Sequence, residues 1–225
     1  MIGGMELQWY GQSAFRLSDG ERTVFIDPFD DMSAMAGRGM QWDYPAIEGV
    51  TADLLLVTHE HFDHNGVGAI GGDPVILRRA GTHESPVGTV VGIASEHDDA
   101  AGTQRGPNTL FVLELGGMRI AHLGDLGQAA LRDAQLVALG TVDLLMVPVG
   151  AGPTIGPDEA LAIVEAVGAR LVVPMHYRTE RIGFLDPLDA TLARFERVHR
   201  ADSTTVDLDA VDGGDGPLLV VPRVP

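Results

Sequence analysis

A short polar segment in the first third of the chain carries residue types that bind metal ions. It reads Thr58-His59-Glu60-His61-Phe62-Asp63-His64-Asn65 and places three histidines and an aspartate within six residues. In an extended or loop backbone, His59 and His61 point to the same side and can share one metal, while Asp63 and His64 can reach a second. Imidazole and carboxylate groups are the expected ligands of Zn, Mn or Fe. A solvent-facing polar loop is the alternative, but it is typical of single histidines rather than of such a cluster.

The elements around this segment are expected to place it at the edge of a sheet. Leu54 to Val57 is a continuous apolar run, which is typical of a strand buried on both faces. The polar segment follows this run directly, and ligand sites of α/β sheets gather at the C-terminal ends of such strands. Asp63 and His64 fall where the chain is predicted to turn into a helix.

Short apolar segments bounded by Gly, Pro and Asp recur along the chain and predict an α/β protein. The first half is β-rich, with predicted strands at Glu6–Tyr10, Ala14–Leu17, Thr23–Ile26, Leu54–Val57, Val87–Ala94, Thr109–Leu115 and Met118–His122. The second half alternates, with predicted helices at Gln128–Leu139, Asp158–Val167 and Leu188–Val198, and strands at Leu144–Val147, Leu171–Val173, Thr204–Leu208 and Leu218–Val221. No linker-like composition separates the halves, so we predict a single domain over residues 1–225, with sheets inside and helices outside.

The segment from Phe29 to Tyr44 has no clear period and is long for a loop in a compact domain, which favours a functional loop or lid. It contains Met32, Met35, Met40 and Trp42. Methionines can line an adaptable apolar pocket. They can equally plug an edge of the core, and the sequence leaves both interpretations open.

Composition excludes several classes of function. The chain has 15 Lys+Arg against 32 Asp+Glu and a formal net charge of -17, which disfavours a nucleic-acid partner. The absence of cysteine excludes disulfides, cysteine-based zinc fingers, iron–sulfur clusters and thiol nucleophiles. No signal peptide is visible at the N-terminus, and no apolar run approaches the ~20 residues that span a bilayer. We therefore expect a cytoplasmic protein without a membrane partner.

The polar segment resembles the HxHxDH signature of metallo-β-lactamase-fold hydrolases, and further motifs follow in the order of that family. These motifs are Phe25-Ile26-Asp27-Pro28, Ser95-Glu96-His97-Asp98, His122-Leu123-Gly124-Asp125 and Val173-Pro174-Met175-His176-Tyr177. The strings Trp9-Tyr10-Gly11-Gln12-Ser13-Ala14-Phe15 and Arg105-Gly106-Pro107-Asn108-Thr109 resemble a small bacterial and archaeal branch that includes the ascorbate-phosphate lactonases. The resemblance covers nearly the whole chain and implies a four-layer αββα sandwich.

The resemblance also implies a dinuclear metal site. His59, His61 and His97 would hold metal 1, Asp63, His64 and His176 would hold metal 2, and Asp125 would bridge them. It makes Asp63 and Asp125 the catalytic carboxylates. The two divalent ions are expected to be Zn²⁺, with Mn²⁺ or Fe²⁺ open for an all N/O site. A metal-bridging hydroxide would attack the carbonyl or phosphoryl centre of a small ester, lactone or phosphoester. Because the ions dominate the local field, an anionic small-molecule substrate is compatible with an acidic protein.

Two positions near this ligand set allow alternatives. Asp27 is expected to orient a ligating imidazole rather than to bind a metal itself, although a strand-ending Asp-Pro turn needs no such role. His122 lies three residues before Asp125 and competes with His97 as the last ligand of metal 1. We favour His97 because His122 lies inside an apolar strand, where a hydrogen-bonded core histidine is the commoner outcome.

Arg105, Tyr177 and Arg178 adjoin the predicted site loops and are candidate substrate contacts, with a plain surface role as the alternative for each arginine. His83 and His199 are expected at the surface, His199 at a helix end. Gln12 stands where members of the branch often have histidine, and a glutamine cannot act as a general acid.

A metal-binding sensor or structural protein of the same fold, without turnover, is the competing interpretation because fold does not fix function. The enzyme interpretation is favoured because all the ligand positions of the family are filled. A homo-oligomer is possible for a soluble enzyme of this kind, but no interface can be identified from the sequence.

Overall fold

The computed structural model describes residues 4–32, 41–211 and 214–225. Its strands are β1 Glu6–Gly11, β2 Ala14–Ser18, β3 Thr23–Ile26, β4 Val50–Thr51, β5 Leu54–Leu56, β6 Ile70–Gly71, β7 Val75–Leu77, β8 Gly81–Ser85, β9 Gly88–Glu96, β10 Pro107–Leu115, β11 Met118–His122, β12 Leu144–Pro148, β13 Leu171–Met175, β14 Val198–Arg200, β15 Thr205–Asp207 and β16 Leu218–Val221. The helices are α1 Asp133–Leu139, α2 Pro157–Val167 and α3 Asp189–Leu192, with a 3₁₀ turn at Val67–Ala69.

Most of the strands form two sheets. One is six-stranded, in the order β15-β1-β2-β3-β5-β7, and the other is eight-stranded, in the order β14-β16-β13-β12-β11-β10-β9-β8. In the first sheet, β5 runs parallel to both β3 and β7. In the second sheet, β11 runs parallel to β12, β12 to β13, and β13 to β16. The carboxyl ends of the parallel strands β5, β11 and β13 carry most of the predicted ligands, and His97 follows the antiparallel strand β9.

The two sheets pack face to face on one apolar core. Leu7, Trp9 and Phe15 of the six-stranded sheet belong to the same buried cluster as Leu110 and Ile120 of the eight-stranded sheet. This arrangement confirms the predicted sandwich, whose stability comes mainly from burial of apolar side chains between the sheets.

Different chain segments cover the two outer faces. Helices α1 and α2 contact β9 and β12, so they lie on the eight-stranded sheet. On the six-stranded sheet, Phe25 and Leu55 pack against Phe29, Trp42 and Tyr44, which belong to irregular chain in the described residues. None of the described helices is both long and apolar enough to cross a membrane.

Helix α2 begins where the sequence marks a start. Pro157 is its first residue, and Glu159 accepts a hydrogen bond from the Gly156 N–H at 3.2 Å. It ends at Gly168, which has the left-handed conformation (φ 61°) favoured after a helix.

Two predicted helices are shorter in the structure. The helix predicted from Gln128 begins only at Asp133, because the Gln128 side chain bonds the Ala130 carbonyl and the Gln135 side chain instead. The predicted helix over Leu188–Val198 is present only as α3, and the prediction is wrong for the residues after Leu192. Val198–Arg200 pairs in parallel with β16 as strand β14, so sheet pairing overrides the local helical pattern. His199 therefore lies exposed on an edge strand and not at a helix end.

The chain after His64 also differs from the expectation of a helix. It forms a turn and then the 3₁₀ segment Val67–Ala69. The Gly66 N–H donates to the Pro28 carbonyl at 2.7 Å, and a side chain at position 66 would collide with the backbone of Phe29. This backbone contact fixes the segment that contains the polar cluster against the loop after β3.

Candidate metal centre

The side chains predicted as ligands converge at one end of the sandwich from four different loops. The loop after β5 supplies four of them, His59, His61, Asp63 and His64, and single residues follow β9, β11 and β13, namely His97, Asp125 and His176. The centre therefore joins the six-stranded sheet to the eight-stranded sheet.

One carboxylate oxygen lies at the middle of this group. Asp125 Oδ2 is 3.1 Å from His176 Nε2, 3.2 Å from His97 Nε2 and 3.3 Å from His64 Nε2. His59 Nε2 is 3.9 Å from the same oxygen. Four imidazoles thus present a ring nitrogen to one acidic oxygen in a buried environment.

The ligand atoms fall into groups small enough to hold single ions. The ligand atoms of His59, His61 and His97 lie within 4.8 Å of one another, and so do those of Asp63, His64 and His176. These are the two sets that the resemblance implied. A third group contains Asp27, His59 and His64.

Asp27 lies behind His64, on the side away from Asp125. Its carboxylate accepts hydrogen bonds from the Thr58 N–H at 2.7 Å, the Thr58 hydroxyl at 2.6 Å and the His64 Nδ1–H at 2.9 Å. It is fully buried, and its backbone has a left-handed φ of 49°. Because these contacts occupy both oxygens, Asp27 is placed to orient the His64 ring rather than to bind an ion.

His97 and His122 occupy different environments. His97 Nδ1 lies 3.0 Å from the Pro153 carbonyl, which leaves Nε2 facing Asp125. His122 is fully buried, with Nε2 3.1 Å from the Ser13 carbonyl and Nδ1 accepting from the Gly124 N–H at 3.0 Å. Both nitrogens of His122 are therefore used, whereas His97 has one nitrogen free for a ligand.

The electrostatics of the group favour neutral His59 and His61 side chains beside an ionised Asp63. Burial, together with the charge of His64, lowers the pKa of His59 to about 3, and burial also lowers the pKa of His61. Burial would raise the pKa of Asp63, but the neighbouring His64 outweighs it and brings that pKa to about 2. His59 thus keeps a lone pair for a cation at neutral pH, and Asp63 keeps its negative charge.

Unlike His59 and His61, His64 favours the protonated, positively charged form. Burial would lower its pKa, but the carboxylates of Asp125, Asp63 and Asp27 outweigh this effect and hold the pKa well above its ordinary value. Its Nε2 is buried without a hydrogen-bond partner among the described residues. An excess of acidic groups around an unpartnered imidazole nitrogen fits a bound metal ion, and the donors are those of Zn, Mn or Fe sites.

Several residues support the candidate ligands through contacts that the sequence did not predict. Gln12 is buried with a left-handed φ of 51°, and its Nε2 lies 3.5 Å from Asp63 Oδ2. The Ser13 hydroxyl donates to Asp125 Oδ1 at 3.4 Å, and the Asp125 N–H donates to Asn108 Oδ1 at 3.1 Å. Gln12, Ser13 and Asn108 all occur in the two strings that carried the resemblance, which is the signal that could have found them.

The three predicted substrate contacts do not lie together in the structure. Arg105 lines a cavity of about 230 Å³ beside the candidate ligands. Tyr177 and Arg178 instead line a separate cleft of about 630 Å³. The left-handed backbone at His176 (φ 51°) precedes Tyr177, whose buried ring stacks on Trp9 at 5.6 Å between centroids. Tyr177 is therefore a core residue, and Arg178 borders the separate cleft.

The methionine-rich segment is described only in part. Met32 and Trp42 belong to the apolar cluster on the outer face of the six-stranded sheet, and both line the 230 Å³ cavity. Met32 and Trp42 therefore both pack in the core and line the pocket. Met35 and Met40 lie outside the described residues.

Comparisons with known proteins show the family to which this chain is related. The family model described as the beta-lactamase superfamily domain matches residues 6–176 of this chain. A UPF0173 metal-dependent hydrolase from Thermus thermophilus is 33% identical over 198 residues, which are 78% of this chain and 84% of the relative. Another, from Methanoculleus marisnigri, is 31% identical over 199 residues, or 78% and 82% of the two chains.

A solved structure is similar over almost the full length. It is a Thermotoga maritima protein of the metallo-β-lactamase superfamily, named as an inferred Zn-dependent hydrolase. It superposes with a TM-score of 0.79 at 30% identity and covers 98% of this chain and 100% of its own.

Proposed function

Because the chain belongs to the metallo-β-lactamase superfamily and is a metal-dependent hydrolase, we propose that it uses two metal ions to cleave a small ester, lactone or phosphoester. The observation that carries this proposal is the convergence of four imidazole nitrogens on Asp125 Oδ2, at 3.1–3.9 Å. A single oxygen shared among ligands from both sheets is suited to bridge two ions.

The proposed ligands divide as the two compact groups do. His59, His61 and His97 would hold one ion, while Asp63, His64 and His176 would hold the other. Asp125 would serve as a ligand shared by both groups. When bound, two divalent ions supply Lewis acidity and lower the pKa of water enough for it to act as a nucleophile at neutral pH.

The residues of the chain then have separate tasks. Asp63 lines the cavity and stays ionised at neutral pH, so its carboxylate would be available to hold the second ion beside the substrate. Asp27 fixes the His64 ring through its 2.9 Å hydrogen bond. Arg105 lies at the cavity wall, where its guanidinium can bind a negatively charged group of the substrate.

The decisive experiment combines metal content with turnover. Protein purified without chelator is analysed by elemental mass spectrometry and assayed on a panel of esters, lactones and phosphoesters. We expect about two equivalents of metal per chain and hydrolysis of at least one substrate class. His97→Ala is expected to bind less metal and lose turnover. His199→Ala, which changes an exposed histidine on an edge strand, is the matched control and is expected to match the wild type.

The alternatives give distinct results. One equivalent of metal in the wild type contradicts a dinuclear centre. Two equivalents without turnover on any substrate of the panel would favour a metal-binding sensor or structural protein instead.

A further inference from the structure

We propose that the substrate is an amphiphilic anion, with an apolar group held by Phe62 and Phe184 and a separate negative charge held by Arg79 and Arg105. This inference rests on the proposed hydrolase function and specifies the substrate of the same site. Both contacts are made by residues other than the candidate metal ligands, and both involve parts of the substrate other than the bond that is cleaved.

The apolar contact lies at the cavity beside the metal ligands. Phe62 and Phe184 line this cavity and remain 54% and 44% exposed. The other exposed large apolar residues of the described chain are aliphatic: Val75, Ile76, Val137 and Val198. Two exposed aromatic rings line one pocket together with the buried Met32 and Trp42, and these side chains form an apolar surface suited to an alkyl or aryl group.

The charged contact lies in an adjoining cavity of about 530 Å³, which shares His61 and Arg105 with the first. Arg78 and Arg79 also line it. Arg78 is engaged by Glu60 at 2.9 Å and by Asn65 at 2.6 Å. Arg79 and Arg105 are exposed, and within the described residues neither guanidinium has an ion-pair or hydrogen-bond partner.

The backbone at Arg105 is held in place before any ligand binds. The Asp98 carboxylate accepts hydrogen bonds from four backbone N–H groups of the following loop, including that of Arg105 at 2.7 Å. A fixed backbone reduces the entropy lost when the guanidinium binds an anion.

Charge also selects the side on which the anion binds. The chain carries a formal net charge of -17, so outside the metal centre an anion is attracted where basic groups are concentrated. On its other side, Arg105 borders a cleft lined by Asp98, Asp99 and Glu159. The negative group of the substrate is therefore expected on the Arg79 side, where guanidinium groups can form charge-assisted, bidentate hydrogen bonds.

The reaction itself needs no further reactant. Water adds to the acyl carbon, the bond between that carbon and the ester oxygen breaks, and the proton passes to the leaving alcohol. The second anionic group of the substrate takes no part in this exchange and serves only in binding.

A pair of esters of equal length tests the charged contact. In mono-4-nitrophenyl glutarate, a carboxylate replaces the terminal methyl group of 4-nitrophenyl pentanoate. We expect the metal-loaded wild type to hydrolyse the glutarate ester with a kcat/KM about tenfold higher, since one charge-assisted contact is worth roughly a factor of ten. Arg79→Met and Arg105→Met are each expected to reduce this preference severalfold, mainly through KM. Arg223→Met, at an exposed arginine of the separate cleft, is the matched control.

Equilibrium binding tests both contacts without turnover. Calorimetry compares 2-naphthoate with the uncharged 2-naphthol, and we expect naphthoate to bind more tightly to the wild type. Phe62→Ala and Phe184→Ala are expected to weaken binding of both ligands. Val137→Ala, which changes an exposed residue of α1, is the matched control.

The outcomes separate this inference from the proposed function. Equal kcat/KM for the two esters, with Arg79→Met and Arg105→Met matching Arg223→Met, overturns the inference and leaves the hydrolase standing. Equal binding of naphthoate and naphthol also overturns it. If the metal-loaded wild type cleaves no ester, lactone or phosphoester, the proposed function fails and the inference fails with it.

Discussion

Asp27 contacts a candidate metal ligand without being placed to bind a metal itself. It turns the His64 ring so that Nε2 faces Asp125, and it does so from a fully buried position. An outer carboxylate of this kind fixes the tautomer and the orientation of its imidazole.

Asp27→Asn is expected to weaken metal binding by roughly 10–100-fold, as is usual for loss of such a partner. An asparagine side chain has one oxygen and one NH2 group. It therefore cannot accept all of the hydrogen bonds that the two Asp27 oxygens accept from Thr58 and His64. Titration of the metal-free protein with Zn²⁺ measures the change. Asp53→Asn is the control, because Asp53 accepts from the Thr23 N–H at 2.8 Å in the same sheet without contact to the centre. Equal affinities of both variants would refute the role of Asp27.

Gln12 combines a functional contact with a cost in stability. Its Nε2 lies near Asp63, but its buried Oε1 has no hydrogen-bond partner within the described part of the chain. A buried acceptor without a partner destabilises a fold by about 1–3 kcal/mol. Such a residue is expected to be retained for function rather than for stability.

Gln12→Leu is therefore expected to raise the free energy of unfolding of the metal-free protein while lowering kcat for the best substrate of the panel. The leucine removes the unpartnered oxygen and also the donor that restrains Asp63. Urea unfolding and steady-state kinetics on one preparation give both values. If stability and activity fall together, Gln12 contributes to packing and the trade-off is absent.

The loops that carry the ligands depend on close backbone approach. Gly127 packs against the backbone of His97 and Asp98, and its N–H donates to the Glu96 carbonyl at 2.9 Å. Gly150 packs in the same way against the backbone of His176 and Tyr177. Any Cβ at these positions would overlap main-chain atoms, which cannot rotate away as a side chain does.

Gly127→Ala is expected to displace His97 and to reduce metal content to about one equivalent per chain, since the displaced ligand belongs to one of the two compact groups. Gly68→Ala is the control, because a Cβ at Gly68 meets open space. Elemental analysis of both variants gives the answer. Full metal content in Gly127→Ala would show that the loop can shift without loss of the ligand.

For the molecule as a whole, the centre acts as a link between the two sheets. Its ligands come from the loop after β5 in one sheet and from loops after β9, β11 and β13 in the other. A ligand that binds only the folded state stabilises it in proportion to the logarithm of its concentration over Kd.

Removal of metal is therefore expected to lower the midpoint of thermal unfolding. Metal at 1,000 times its Kd adds about 4 kcal/mol to the free energy of unfolding. Calorimetry with and without a chelator measures the difference. His97→Ala is expected to show a smaller difference, whereas His199→Ala is expected to behave as the wild type. A chelator without effect on the wild type would mean that the ions do not join the sheets.

The pattern of the sequence was sufficient for an α/β protein and for the cluster from His59 to His64, whereas the four-layer sandwich and the other candidate ligands followed from the resemblance to metallo-β-lactamase-fold hydrolases. Continuous apolar runs such as Leu54–Leu56 and Leu144–Pro148 are buried on both faces, and polar metal-binding residues follow strand ends directly. These features depend on residues close together in the chain, where period and spacing carry the information. That residues 1–225 form one domain stays a prediction.

Other features depended on contacts between distant segments, which no local pattern records. The helix predicted over Leu188–Val198 ends at Leu192, and Val198 instead begins the strand that pairs with β16, while Tyr177, a candidate substrate contact, is buried against Trp9. The carbonyls of Pro153 and Ser13 give His97 and His122 their different environments. Spacing along the chain could nominate both histidines, but which nitrogen is free depends on partners tens of residues away. The sequence was thus enough to identify candidate donors, and the packing of the two sheets selected which of them face Asp125.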